Sequence, residues 1–209
     1  MLRDKPLIAL ATGLALLVAC ATTTTLTSTW RSPEAQGINL TGKAIAVVLI
    51  TNDESLRRSG ENALAWDLFE RGARGFGTYR LLPSDQHHDG EVAQARMKAA
   101  GADAVVTMRI VREDQRITYT PGTMIQDPMR SFRPYWGMGW RTVYQPGNLR
   151  TDTLVSVETL VYSLPDAQNS QLIWASTSRT INPNAIDTLV RDVAEATARD
   201  MVSQGFLTR

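Results

Sequence analysis

Ala44-Ile45-Ala46-Val47-Val48-Leu49-Ile50 is a run of seven apolar residues, four of them β-branched. A run this short and this uniformly apolar suits a strand buried on both faces, with helices packed above and below its sheet. The residues that follow support that reading. Asp53 can cap a helix carrying Leu56, Ala63, Leu64 and Leu68 on one side, and Trp66 and Phe69 widen its apolar face enough to predict cover beyond the sheet. Gly72, Gly75 and Gly77 end that helix, and Thr78 to Leu82 is the expected second strand. Asp89 and Gly90 open a second helix with small apolar positions at Val92, Ala93, Ala99 and Ala100, and Gly101 closes it. Ala104 to Val111 is the third strand. Beyond Arg112 it turns polar and alternating, as a strand does when it projects past the core towards Tyr119.

After a long connection, Thr153 to Tyr162 and Leu172 to Thr180 read as two more strands, with Pro165, Asp166, Asn169 and Ser170 supplying turn chemistry between them. Asn182 and Pro183 look like a cap and a first-turn proline. Ile186, Leu189, Val190, Val193, Ala194, Thr197 and Met201 then fall on one helical stripe, which Gly205 ends. The expected fold is α/β, a single three-layer domain over residues 43–209. Its mixed sheet has about five strands in the order β-α-β-α-β, long loop, β-β-α. Right-handed crossovers make the first three strands parallel.

Composition bounds the function. The chain has 209 residues, 43% hydrophobic and 21% charged, with a formal net charge of +1. That is enough chain for one sizeable core, and it lacks the basic excess of a nucleic-acid binder. The single cysteine excludes a disulfide framework and a multi-cysteine zinc site.

That cysteine has a specific setting. Arg3 and Lys5 precede an apolar run from Leu7 to Ala19, too short to span a bilayer, which takes about 20 residues. A basic start and a short apolar run make residues 1–19 a secretory signal peptide. The run closes on Leu17-Val18-Ala19-Cys20, which resembles the lipobox of bacterial lipoproteins. The resemblance implies that Cys20 becomes the mature N-terminus and carries acyl chains that anchor the protein in a membrane. Several chains hold firmly, since each buried methylene contributes about 0.8 kcal/mol. Ala21 in the second mature position implies the periplasmic face of the outer membrane rather than the inner membrane. Residues 20–42 contain Thr22 to Thr25, Thr27, Ser28, Ser32, Pro33 and Gly37 and read as a lipidated N-terminus and flexible tether, with Leu26 and Trp30 as contacts onto the body. A coil of that length spans roughly 25 Å.

The element order over residues 43–205 resembles that of α/β periplasmic lipoproteins such as penicillin-binding-protein activators, the curli secretion lipoprotein and the N-terminal domain of the Tol translocation protein. Gly101-Ala102-Asp103-Ala104-Val105-Val106 and Leu172-Ile173-Trp174-Ala175 resemble short phrases of uncharacterised lipoproteins of this type. The resemblance implies a partner-binding envelope protein rather than an enzyme.

Catalytic patterns are sparse, and neither catalytic residues nor a cofactor is expected. The three glycines at 72–77 follow a helix and do not match the dinucleotide fingerprint, and the only lysines are Lys5, Lys43 and Lys98, none in a P-loop. His87 and His88 lie beside Asp85 and Asp89 with no third histidine or thiol for a metal, so no metal site is expected. No serine has a nucleophile-elbow context. Glu158 and Arg109 sit in strands expected to pair, either as a partly buried ion pair or each facing solvent.

One segment stands apart. Residues 121–147 join two strands through a connection far longer than compact domains normally use. The segment holds Phe132, Tyr135, Trp136, Trp140 and Tyr144, five of the 14 aromatic residues, with Met124, Met129 and Met138. Arg130, Arg133 and Arg141 face Asp127 as its only acid. Aromatic, methionine and arginine enrichment is the composition of interface cores. A lid folded over its own aromatics, a partner-docking loop and a membrane-touching element all fit. The expected function is a lipid-anchored, non-enzymatic envelope protein binding an envelope protein through Arg130, Phe132, Arg133, Tyr135, Trp136, Trp140 and Tyr144. The alternative is a carrier or sensor of a small apolar or lipid molecule.

Overall fold

The computed structural model describes residues 23–82, 89–120 and 148–208. Cys20, His87, His88 and the aromatic segment with Arg130, Phe132, Arg133, Tyr135, Trp136, Trp140 and Tyr144 lie outside the described residues.

The expected class is the one found: an α/β domain on a mixed sheet. Six strands are β1 (Thr23–Arg31), β2 (Ala44–Leu49), β3 (Arg74–Gly77), β4 (Ala104–Thr120), β5 (Asn148–Ser163) and β6 (Gln171–Ile181). Their order across the sheet is β1-β6-β5-β4-β2-β3. β2 pairs parallel with β3 and β4, and every other pairing is antiparallel. Among the described residues, three helices pack on the sheet: α1 (Glu54–Glu70), α2 (Gly90–Ala99) and α3 (Ile186–Ser203).

Chain direction decides the layers. The step from β2 to β3 runs one way along the sheet and the step from β3 to β4 runs back across β2. Right-handed crossovers in opposite directions put their helices on opposite faces. α1 accordingly packs with α3 over Ile45, Val47, Val106 and Val157. α2 covers the other face through Met97 against Ala46, Val105 and Leu164. Trp174 is fully buried in the larger core, and its indole Nε1 donates to Asp200 Oδ2 at 3.0 Å, giving the one polar atom of the ring a partner.

Four expectations are corrected. Residues 23–31 are not a tether: Thr23 to Arg31 pair antiparallel with β6 as the sixth strand. The run Thr-Thr-Thr-Leu-Thr-Ser-Thr-Trp is polar but rich in β-branched residues, which suit a half-exposed edge. Ala35 and Leu40, within the same expected tether, are core residues.

The second parallel strand is Arg74–Gly77 rather than Thr78–Leu82, and Thr78–Arg80 is a 3-10 turn after it. Gly75 is a packing requirement here, because a Cβ on it would stand 2.5 Å from the Ala65 carbonyl oxygen. Edge strand and helix touch backbone to backbone.

α3 starts at Ile186 with Ala185 at its cap, three residues past the expected Pro183. Asn182 is used elsewhere, as described below. Trp66 and Phe69 are not covered. Each is 62% exposed, their rings 5.9 Å apart. The buried stripe of α1 is Arg57, Gly60, Glu61, Leu64, Ala65 and Leu68, a strict three-and-four spacing that leaves both aromatics on the outer side.

Candidate functional site: a two-stranded arm and the cavities at its root

β4 and β5 are 17 and 16 residues long, whereas the sheet around them is shorter. β2 accompanies β4 only as far as the Leu49–Met108 pair, and β6 accompanies β5 only from Leu154 onward. Past those rungs the two long strands, among the described residues, pair with each other alone, to a last rung between Thr120 and Asn148. Six residues on each strand lie beyond the sheet, an arm of about 20 Å at 3.3 Å per residue. The polar half of the third strand projects as its alternation indicated.

Asn182 fixes where the arm begins. Its backbone φ of 49° is left-handed, a conformation asparagine tolerates better than most residues. The turn lets its N–H donate to the Thr153 carbonyl at 2.7 Å while its side-chain Oδ1 accepts from the Thr153 N–H at 2.7 Å. Its Nδ2 donates to Asp152 Oδ1, also at 2.7 Å. One residue therefore ties the end of β6 to β5 and occupies the backbone groups that another rung would have used. The Asn182 amide, and then Arg150, hold the Asp152 carboxyl below the usual carboxylate range.

Register sorts the arm into two faces. Glu113, Gln115, Ile117, Thr153, Thr151 and Leu149 share the α3 side. Arg112, Asp114, Arg116, Asp152 and Arg150 share the α2 side. A one-residue bulge at Val111, between Ile110 and Arg112, restores this alternation after the core. Ile117 is 69% exposed and Leu149 68%. On the charged side, Arg150 Nε meets Asp152 at 2.7 Å and Arg112 Nε meets Asp114 at 3.6 Å. At the arm's root Arg109 and Glu158 are cross-strand partners, 3.3 Å apart on a largely exposed surface. Both alternatives for this pair are thus partly met: it forms, and it faces solvent.

Two cavities flank the root. The larger, about 660 Å³, lies on the α2 side where β2 and β4 end. Val48, Ile50, Ala93, Met97, Val105 and Tyr162 form its walls, with Thr107, Gln94 and Arg109 as polar groups. This is where the strand order reverses, the position at which open α/β sheets leave a crevice. The smaller, about 470 Å³, lies on the α3 side between Ile110, Glu113 and Val155 at the arm's root and Asn182 and Ile186.

A buried ionic cluster adjoins the larger one, whose lining includes Arg57. Glu61 has no exposed surface, and Oε1 accepts from Arg57 Nε (3.1 Å), the Leu49 N–H (3.2 Å) and the Thr78 hydroxyl (3.2 Å). Oε2 accepts from the Tyr79 N–H at 2.7 Å. A carboxylate so engaged links α1, β2 and the turn after β3. Among the described residues no group of histidine, cysteine and carboxylate side chains could hold a metal ion. No helix among them is long and apolar enough to cross a membrane.

Sequence reading missed Asn182, whose neighbour Pro183 made a helix cap the simpler reading. It missed the larger cavity too, since its walls come from four separate elements and share no local pattern.

No family model matches the chain, and no curated protein matches it. Among solved structures it is similar to a PelC dodecamer from Paraburkholderia phytofirmans, with 12% identity over 90% of this chain and 99% of that one and a TM-score of 0.46. A leucine-to-methionine variant of that PelC dodecamer gives 13% identity, 85% and 96% coverage and a TM-score of 0.43. Likeness this distant transfers neither activity nor assembly to the present chain.

Proposed function

We propose that this protein is a non-enzymatic, lipid-anchored component of the cell envelope, held by acyl chains on Cys20 at the periplasmic face of the outer membrane. It docks an envelope protein through Arg130, Phe132, Arg133, Tyr135, Trp136, Trp140 and Tyr144. The supporting observation is the Thr120–Asn148 rung: the aromatic segment leaves from and returns to the end of an arm about 20 Å beyond the sheet. Its two ends are thus remote from the core, and the arginine, methionine and aromatic composition between them suits an interface. Photo-crosslinking in living cells, with the reactive residue in turn at Tyr135, Trp136, Trp140 and Tyr144, tests this. One discrete heavier band identifies a partner. Absence of any adduct, with the protein present in the envelope, overturns the docking role.

The larger cavity favours a second reading, a carrier or sensor of a small apolar or lipid molecule. Its volume of about 660 Å³ lies within the range of roughly 300–1,000 Å³ typical of ligand sites, and its walls are mainly apolar. Native mass spectrometry of the purified protein separates the readings. A co-purifying small molecule that is lost on Ala93→Trp supports the carrier, and a bare protein mass opposes it.

A further inference from the structure

Strand direction links the membrane anchor to the arm. Thr23 pairs with Ile181, Ile181 with Leu154, and Leu154 with Asp114. The chain therefore enters the sheet at the rung where the arm leaves it, on the same end of the domain. The turn between β5 and β6, around Asp166 and Asn169, is at the opposite end.

Lengths then constrain the orientation. Residues 23–31 are strand rather than tether, so only three steps of chain separate Cys20 from Thr23. They reach about 11 Å at most when fully extended. The headgroup layer above the acyl chains takes up about 5–7 Å of that. Thr23 therefore stands within a few ångströms of the membrane surface. Strand twist turns the arm by roughly 20–25° per step from β1 through β6 and β5 to β4. An arm inclined in this way to β1 can lie along a surface that Thr23 almost touches.

The arm's surface suits that position. Ile117 and Leu149, both more than two-thirds exposed, share one face, and Arg116 and Arg150 share the other, where Asp152 pairs with Arg150. Apolar side chains that reach the acyl boundary and long arginines that reach phosphate are the two components of interfacial binding. We propose that the arm rests on the lipid bilayer that holds the Cys20 acyl chains, with Ile117 and Leu149 in its headgroup region. This rests on the lipid-anchor reading above, and it restricts the docking partner of residues 121–147 to one at the bilayer surface.

The test uses the full acylated protein in vesicles of phosphatidylethanolamine and phosphatidylglycerol, some carrying doxyl-labelled lipid. With Cys20 blocked by its lipid, Ile117→Cys, Leu149→Cys and Gln168→Cys each offer one thiol for an environment-sensitive fluorophore. Quenching by the doxyl lipid is expected to be several-fold stronger at 117 and 149 than at 168, at the far end of the sheet. Equal, weak quenching at all three positions, with the acyl mass present on Cys20, overturns the arm's contact and leaves the anchor standing. Absence of the acyl mass, together with failure of the wild-type protein to float with vesicles, overturns the anchor and this inference with it.

Discussion

Two arginine–glutamate pairs stand beside the same strand ends and obey different physics. Arg57–Glu61 lies against Leu49 of β2, with side chains 5% and 0% exposed at 3.1 Å. Arg109–Glu158 lies one residue past Met108, the β4 partner of Leu49, with side chains 54% and 31% exposed at 3.3 Å. The lengths are nearly equal, so distance does not separate them. Solvent does. Around Glu61, water is replaced by backbone and hydroxyl donors, and the carboxylate holds three elements in register. Around Glu158, water screens both charges and the pair adds little to the strand ladder beneath it. The body of the molecule uses charge as a fastener, and the arm uses it as surface.

The largest expected effect tests the first half of that contrast. Glu61→Ala should cost about 3–5 kcal/mol in urea unfolding, because Arg57 is left buried without its main partner. A loss below about 1 kcal/mol would mean that the cluster relaxes into water and is not a fastener. Asn182→Ala comes next, at the junction of body and arm. An alanine in the left-handed region costs about 1–2 kcal/mol, and faster hydrogen exchange at the Thr153 amide should accompany the loss. Unchanged exchange there would show that the arm's root is held by the ladder alone. Glu158→Ala should change stability by at most about 1 kcal/mol, and the change should shrink in high salt. A larger, salt-insensitive loss would erase the distinction between the pairs.

Acid should produce the most local effect. The Asp152 carboxyl is depressed in the folded state, by the Asn182 amide and then by Arg150. The stabilisation it provides is therefore present above its ordinary value of 3.8 and is lost as pH falls through the lowered one. The side-chain amide resonances of Asn182 should shift in that window while those of core residues stay fixed. A shift centred above pH 3.8 would contradict the hydrogen bond.

Much of this architecture was legible because its signals are local. The 44–50 run, the caps at Asp53 and Asp89, and the stripe from Leu189 to Met201 each follow from residues a turn or a pleat apart. Both caps appear as read, Asp53 accepting from the Ser55 and Leu56 amides and Asp89 from those of Glu91 and Val92. The projecting end of β4 was visible for the same reason, as alternation replacing a solid apolar run. Most of the misreadings involve a partner distant in sequence. Thr23–Arg31 looks like a tether until β6 lies beside it. Gly75 looks like a breaker until Ala65 reaches it. Of the candidate surface, composition identified the aromatic segment and the polar half-strand, and the cavities left no trace in it.

By itself, then, the sequence determined the class of fold, the parallel run of β2 and β4, the helix starts set by aspartate caps and the existence of a projecting strand. Each of these depends on periodicity, propensity or capping, which act over a few residues. Tertiary structure alone decided the sixth strand, the buried fate of Glu61, the role of Asn182 and the common end shared by Thr23 and the arm. Those depend on which surfaces meet, and burial, screening and strand direction have no value until the chain has folded.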